Sequence, residues 1–128
     1  MKIGALAKQT QVTVETIRYY EQRQLLNPPA RSKAGYRDYS PDDLQRLRFI
    51  VQAKTLGFTL EEIKELLALR SGQGECAQVK EIAQRKADKI AEQIEKLRRI
   101  QAVLQRLTEQ CGQEVEDHCP ILNSLEEP

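Results

Sequence analysis

Three cysteines carry the most distinctive chemistry in this chain of 128 residues. Cys76 and Cys111 lie 35 positions apart, and Cys119 follows Cys111 after seven intervening residues. Thiolates are soft ligands that favour Zn²⁺, Cd²⁺, Pb²⁺, Hg²⁺ or Cu⁺ over hard cations. His118 stands beside Cys119 and is a candidate fourth ligand for a tetrahedral ion, with a solvated loop residue as the alternative. The cysteines therefore predict a thiophilic metal site, and inert buried thiols are the alternative interpretation.

A long helix is predicted between the first two cysteines, because the sequence from Cys76 to Cys111 contains no Pro or Gly and consists of good helix formers. Apolar residues recur along it at spacings of three and four, the pattern of a heptad seam. The seam comprises Ala83, Ala87, Ile90, Ile94, Leu97 and Leu104, and it is interrupted at Lys80, Gln101 and Thr108. At about 1.5 Å per residue the two cysteines are roughly 52 Å apart, so one chain cannot bring both to one ion through this helix.

Two antiparallel copies of the helix can bring these cysteines together. If position i faces position 187 − i, Ile90 meets Leu97, and Cys76 meets Cys111 of the other copy. Opposite charges also meet in this register, and such flanking charges set the orientation of a coiled coil. We therefore predict a homodimer with metal sites shared between chains. The alternative is that the apolar stripe packs on its own domain.

The first 26 residues have the pattern of a helix pair. Residues 3–9 form a short predicted helix, and Thr13 then caps a second helix, VETIRYYEQRQLL. Two short helices around a turn of three or four residues fit a helix-turn-helix. The second helix would lie in the major groove of DNA, with Thr13, Glu15, Thr16 and Arg18 near its exposed N-terminal face. Many α-helical domains contain such a pair, so the pattern alone is weakly specific.

The next segment, PPARSKAGYRDYS, strengthens the interpretation as a DNA-binding domain. Its alternating pattern predicts a two-stranded ribbon that turns near Gly35. Guanidinium groups and phenol hydroxyls both donate hydrogen bonds to phosphate oxygens. We therefore predict a basic wing that straddles the DNA backbone, and a solvated surface hairpin is the alternative. The residues that would serve the wing are Arg31, Lys33, Tyr36, Arg37 and Tyr39.

Two further helices and a short tail complete the predicted organisation. Ser40 caps a helix that starts at Pro41 and stops near Gly57, and Thr59 opens the next helix with a capping box. The predicted fold class is mainly α, an N-terminal winged helix-turn-helix followed by a long helix that forms an antiparallel coiled-coil dimer. The predicted domains are the winged helix-turn-helix at 1–40, connecting helices of the DNA-binding domain at 41–74, the dimerisation helix at 75–110, and a metal-binding loop with a short C-terminal helix at 111–128.

Composition and charge restrict the partners and the compartment. Residues 1–70 hold 12 Lys and Arg against 8 Asp and Glu, a net charge of +4, whereas residues 71–128 hold 8 against 11, a net charge of −3. A modestly basic N-terminal half suits an anionic partner. No stretch has the pattern of a signal peptide or a membrane span, so we expect a cytoplasmic protein with no membrane partner. An odd number of cysteines in a reducing cytosol argues against a disulfide framework.

The motifs ETIRYYE, GYRDY and GFTLEEI, in this order and spacing, resemble those of MerR-family transcriptional regulators, and the resemblance covers essentially the whole chain. Members of that family are homodimeric winged-helix proteins joined by an antiparallel coiled coil. They bind double-stranded operator DNA in promoters with an overlong spacer, and inducer binding distorts this DNA so that RNA polymerase can engage it. The resemblance implies that the DNA backbone is contacted or positioned by Arg18, Tyr19, Tyr20, Arg31, Tyr36, Arg37 and Tyr39. It also makes Thr16 a candidate for contact with a base edge.

The resemblance also narrows the inducer of such a regulator. In the family, a cysteine at the position of Cys76 marks sensors of divalent thiophilic ions, and copper(I) sensors have serine there. The loop between Cys111 and Cys119 is closer in length to the loop of the copper(I) sensors. Cys76 is the stronger indicator of the metal, because it changes the number and charge of the ligands. Zinc sensors usually carry an additional loop cysteine, so the resemblance favours cadmium or lead, with zinc and mercury close behind.

Two alternative functions remain open from the sequence. The first is a mercury(II)- or copper(I)-responsive regulator of the same family. The second is a cytosolic thiol-redox or metal-buffering protein whose basic N-terminal half is incidental. An enzyme is disfavoured, because the sequence shows no nucleophile–base pair, no phosphate-binding glycine loop and no pair of catalytic acids.

Overall fold

The computed structural model describes residues 1–28, 38–73, 76–111 and 119–127, and within these ranges every regular element is helical. The helices are α1 (Ile3–Thr10), α2 (Val14–Gln22), α3 (Pro41–Thr55), α4 (Leu60–Ala68), a π-helical turn (Leu69–Gln73), α5 (Cys76–Cys111) and α6 (Pro120–Glu126). The predicted mainly α class is confirmed. Within the same ranges, no helix has the length and apolar character needed to cross a membrane. Most of the predicted wing ribbon, residues 29–37, lies outside the described residues.

Side-chain caps form at the three predicted helix starts. Thr13 accepts a hydrogen bond from a backbone N–H in the first turn of α2. Ser40 and Thr59 each form a full capping box, with Asp43 and Glu62 respectively as the reciprocal acceptors. A capping box satisfies two backbone N–H groups near the helix start, which is why these local sequence patterns predict a helix start well. The predicted starts of α2 and α3 are confirmed.

Helix α2 is shorter than predicted. The pattern predicted a helix through Leu26, but α2 ends at Gln22. Gln24 then adopts a left-handed conformation with φ of 64°, and the chain turns so that Leu25 and Leu26 are buried. The guanidinium Nε of Arg46 donates a hydrogen bond of 2.7 Å to the carbonyl oxygen of Leu25, which holds this turn against α3. Burial of the two leucines in the core therefore overrides local helix propensity.

The chain divides into two compact units, Met1–Ala83 and Gln84–Pro128, which we call the head and the arm. The head encloses a hydrophobic core supplied mainly by α1 to α4. It includes the start of α5, because Ile82 is buried in the same core. The side chains fully or almost fully enclosed there are Leu6, Ile17, Leu25, Leu26, Leu47, Ile50 and Ile63.

The arm consists of α5 from Gln84 onward and α6. None of its described residues is buried. Large apolar side chains instead face solvent in the single chain, and they include most of the predicted seam. These exposed residues are Ile90, Ile94, Leu97, Ile100, Val103, Leu104, Leu122 and Leu125.

Candidate DNA-binding and metal-binding sites

Helix α2 is the predicted recognition helix, and it presents two of the predicted DNA-contacting side chains to solvent. Arg18 and Tyr19 are exposed, and Tyr19 retains 47% of its accessible surface. Thr16 is half-buried, and its hydroxyl lies 2.8 Å from the hydroxyl of Thr13, so one of the two donates to the other. Arg18 and Tyr19 are therefore available to phosphate oxygens, and the Thr16 hydroxyl is already engaged in the helix cap.

The other two described tyrosines of the predicted set are buried. Tyr20 packs in the core beside Tyr19, with ring centroids 6.1 Å apart, and burial together with that neighbour raises the pKa of its phenol. Tyr39 is only 2% exposed, and its hydroxyl donates a 3.3 Å hydrogen bond to Oε2 of Glu21. These two tyrosines are placed to position backbone rather than to meet DNA directly.

Tyr39 is also held through its backbone. Its N–H donates to the carbonyl oxygen of Met1 at 2.7 Å, and the Met1 amino group donates to the carbonyl oxygen of Tyr39 at 2.7 Å. The same amino group donates to Oδ1 of Asp38 at 2.8 Å. The start of the chain and the segment that precedes α3 are therefore joined by a pair of reciprocal backbone bonds. The remaining predicted DNA-binding residues, Arg31, Tyr36 and Arg37, lie outside the described residues.

A surface cleft of about 490 Å³ runs beside the recognition helix. It is lined by Ile3, Arg18, Glu21, Gln22 and Pro28. Arg18 and Glu21 stand one helical turn apart, so they project from the same face of α2. Glu21 is not identifiable from the sequence alone, because an acidic side chain gives no DNA-binding signal and its partner Tyr39 is 18 residues away.

The cysteines occupy the ends of helices. Cys76 is the first residue of α5 and Cys111 is the last, and both are exposed. Cys119 is partly exposed and occupies the N-cap position of α6. A side-chain interaction with the Cys111 thiol contributes to lowering the pKa of the Cys119 thiol, so the two thiols are neighbours in the folded chain.

The local polar surroundings favour the thiolate form of Cys119. The backbone amide of Leu122, and after it the amide of Ile121 and the thiol of Cys111, lower the pKa of the Cys119 thiol against an opposing effect of desolvation. The sulfur does not complete a full cap hydrogen bond to these amides, so the effect is that of nearby N–H dipoles. A thiolate is the form that binds metal ions.

Within the part of one chain that the structure describes, no group of three or more His, Cys, Asp or Glu side chains lies close enough to hold a metal ion. Cys111 and Cys119 come together, and Cys76 stands at the opposite end of α5. The 36 residues of α5 therefore separate the Cys76 thiol from the Cys111 thiol within one chain. His118, the candidate fourth ligand, lies outside the described residues.

Two family models match the sequence. One, described as "MerR HTH family regulatory protein", matches residues 1–69, and the other, described as "MerR, DNA binding", matches residues 44–107. The chain belongs to the MerR family. The MerR-family resemblance inferred from the sequence motifs is thereby confirmed, and the chain is a helix-turn-helix transcriptional regulator by membership of this family.

MerR-family relatives align along almost the whole chain. The HTH-type transcriptional regulator ZntR of Escherichia coli strain K12 is 41% identical, over 98% of this chain and 92% of that protein. The mercuric resistance operon regulatory protein of Bacillus cereus is 39% identical, over 97% of this chain and 96% of that protein. Among solved structures, the regulator PbrR691 of Ralstonia metallidurans CH34 in complex with lead(II) is 36% identical, with a TM-score of 0.85 and 98% coverage of both chains.

Proposed function

We propose that this MerR-family regulator is a metal-responsive activator of a metal-resistance or efflux promoter. A thiophilic divalent ion binds cysteines at the interface of a homodimer, and the dimer then distorts its double-stranded operator so that RNA polymerase can use the promoter. The observation that carries the proposal is the pairing of the Cys111 and Cys119 thiols at the end of the arm. The proposed metal ligands are Cys76, Cys111, Cys119 and His118.

The dimer is supported by the exposed seam of the arm. Side chains such as Ile94 and Leu97 face solvent along α5 and line a shallow groove of about 550 Å³. Burial of apolar surface is worth about 25 cal/mol for each Å², so a stripe of this kind favours association with a matching surface. A second copy in the antiparallel register supplies that surface, since apolar residues then face apolar residues along the helix.

The shared metal site follows from the same register. Cys76 of one chain faces Cys111 of the partner subunit, beside Cys119 of that same partner subunit. Two thiols from one chain and one from the other give three soft ligands, and a fourth position is open to His118 or to a ligand from solvent. Both Cys76 and Cys111 are exposed in the single chain, which leaves their sulfurs accessible to an ion.

Cadmium or lead is the proposed inducer, with zinc next and mercury as a further candidate. Three thiolates suit these soft divalent ions, and a lead(II) complex and a mercuric resistance regulator are among the relatives. A titration with Zn, Cd, Pb, Hg and Cu(I), read as induced transcription, tests this order. Strong induction by Cu(I) alone would contradict it. Binding affinity is a poor readout, because it follows ligand softness rather than the physiological signal.

Removal of any one proposed cysteine ligand should abolish metal-induced transcription. Loss of an outer-shell partner of a metal ligand already costs about 10–100-fold, and loss of a ligand itself should cost more. We therefore expect Cys76→Ser, Cys111→Ser and Cys119→Ser each to lose induction in a reporter assay while operator binding in a gel-shift assay stays close to that of the wild type. Retained induction in all three variants would refute the proposed site. A wild-type protein that binds metal without preference for any DNA sequence would instead favour the metal-buffering alternative.

A mixed dimer tests whether the two chains share each site. When one chain carries Cys76→Ser and its partner is wild type, we expect one of the two metal sites to be lost and the other to remain. The measurement is metal stoichiometry of the purified mixed dimer, with both homodimers as references. Two intact sites, or none, would contradict the shared geometry.

A further inference from the structure

Glu21 links the recognition helix to the segment that enters α3. It stands near the C-terminal end of α2, one turn after Arg18, and its Oε2 accepts the hydrogen bond from the buried Tyr39 hydroxyl. The other carboxylate oxygen of Glu21, Oε1, is also buried. Glu21 is half-buried, and it lines the cleft together with the exposed Arg18.

Tyr39 is in turn held in place by both its side chain and its main chain. Its side chain lies in the head core, and its main chain exchanges two 2.7 Å hydrogen bonds with Met1. Since Tyr39 directly precedes the Ser40 capping box of α3, the Glu21 bond joins the end of α2 to the start of α3 across 18 residues of sequence. This hydroxyl–carboxylate bond therefore ties the end of the recognition helix to the segment that enters α3.

We propose that Glu21 is a positioning residue for operator recognition, acting through the Tyr39 hydroxyl. The bond keeps the chain at Tyr39 in a fixed place relative to the DNA-facing side of α2. Contacts to phosphates set the register of a protein on DNA, and base contacts depend on that register. Loosening the bond therefore reduces binding to the specific site more than binding to arbitrary DNA. The proposal rests on the proposed function as an operator-binding regulator.

The test compares operator affinity with affinity for unrelated DNA. The operator probe is a duplex selected from a random pool by the wild-type dimer, and the reference probe is a scrambled duplex of the same composition at the same salt concentration. Tyr39→Phe removes only the hydroxyl and leaves the ring in the core, and Glu21→Ala removes the acceptor. Glu21→Gln retains an acceptor oxygen. Glu61→Ala is the matched control, because it removes one carboxylate from the exposed first turn of α4.

We expect Tyr39→Phe and Glu21→Ala each to weaken operator binding about tenfold, as for loss of one charge-assisted hydrogen bond. The double variant should be no weaker than either single variant, because both remove the same bond. Glu21→Gln should weaken operator binding less than Glu21→Ala, because it keeps an acceptor oxygen but not the charge. Glu61→Ala should leave the ratio of the two affinities unchanged. Affinity for the scrambled duplex should change less than twofold in each single variant and in the double variant.

Three results would overturn the proposal. The first is operator binding by Tyr39→Phe within twofold of the wild type. The second is additive loss in the double variant. The third is an equal loss of operator and scrambled-DNA affinity, together with a lower melting temperature, which indicates a purely structural bond. A wild-type protein that enriches no duplex from the pool would instead refute the proposed function itself, so the two failures are distinguishable.

Discussion

The head and the arm are both helical, but among the residues that the structure describes only the head has buried side chains. Residues such as Leu47, Ile50 and Ile63 are completely buried in the head. In the arm, Leu97 retains 62% of its accessible surface and no described residue is buried. Both units have apolar residues at helical spacing, so hydrophobic periodicity alone does not distinguish them. The difference lies in whether the same chain supplies the covering surface.

The two units are therefore stabilised in different ways. The head is stabilised by its own apolar contacts and by helix caps that local sequence provides. The arm gains comparable apolar burial only from a second surface. Under the proposed register that surface is another copy of α5, and the same contact carries Cys76 to the thiol pair of the partner subunit. Dimer geometry and metal binding in the arm are then one event.

The largest expected effect comes from a charge in the seam of the arm. Leu97→Asp would bury one carboxylate per chain opposite Ile90 of the partner subunit, and burying an unpaired ion costs several kcal/mol. We expect the variant to be monomeric at micromolar concentration, as measured by sedimentation equilibrium, with the near-ultraviolet spectrum of the head preserved. The cost arises twice in each dimer, since each chain contributes one carboxylate.

Ala102→Asp is the matched control for this variant. Ala102 is exposed on α5 and lies off the seam, so the new carboxylate stays in water. It should leave the dimer intact. A Leu97→Asp protein with the mass of a dimer would show that the exposed stripe does not form the interface, and the contrast between the two units would then lose its explanation.

A cavity in the head should have a smaller but still large effect. Ile63→Ala removes a completely buried side chain, and truncations of this kind cost about 2–5 kcal/mol. Leu122→Ala in α6, where the side chain is 60% exposed, should change the free energy of unfolding by less than about 0.5 kcal/mol in the metal-free protein. The measurement is urea-induced unfolding at one fixed protein concentration. Similar losses in both variants would mean that α6 is covered as fully as the core.

Local signals made most of the head predictable from sequence. Ser40 and Thr59 are followed three residues later by Asp43 and Glu62, and this spacing alone specifies a helix start because the bonds are made within one turn. The spacing of Cys111 and Cys119 likewise predicts two neighbouring thiols, and the Cys111 thiol contributes to lowering the pKa of the Cys119 thiol. In each case the partners are close in sequence, so no knowledge of the fold is needed.

Features that depend on distant partners were not predictable in this way. The end of α2 depends on burial of Leu25 and on the hydrogen bond from Arg46, which is 21 residues away. Tyr39 is of a residue type, and in a segment, that predicts a DNA-facing wing residue. Its side chain is buried instead, and its hydroxyl donates a hydrogen bond to Glu21. Ile82 belongs to the head core although it lies on the long helix. Periodicity identifies an apolar face, and only the three-dimensional structure identifies what covers it.

The smallest expected effect concerns Cys119, whose thiol has polar neighbours within the arm. The Leu122 amide, followed by the Ile121 amide and the Cys111 thiol, lowers the pKa of the Cys119 thiol in the folded chain. Because the thiolate is favoured in the folded chain, ionisation of Cys119 stabilises the folded state above the pKa that this thiol has in the unfolded chain. This stabilisation is lost as the pH falls through the pKa of the thiol in the folded chain.

Because the thiolate is the nucleophile, alkylation of Cys119 by iodoacetamide in metal-free protein should persist to lower pH in the folded state than in denaturant. Peptide mapping after short alkylation at a series of pH values measures this difference. In Cys111→Ser, the pH profiles of Cys119 alkylation in folded and denatured protein should lie closer together but should not coincide, because the amides of α6 remain. If the folded and denatured profiles coincide, the amides of α6 do not stabilise the thiolate.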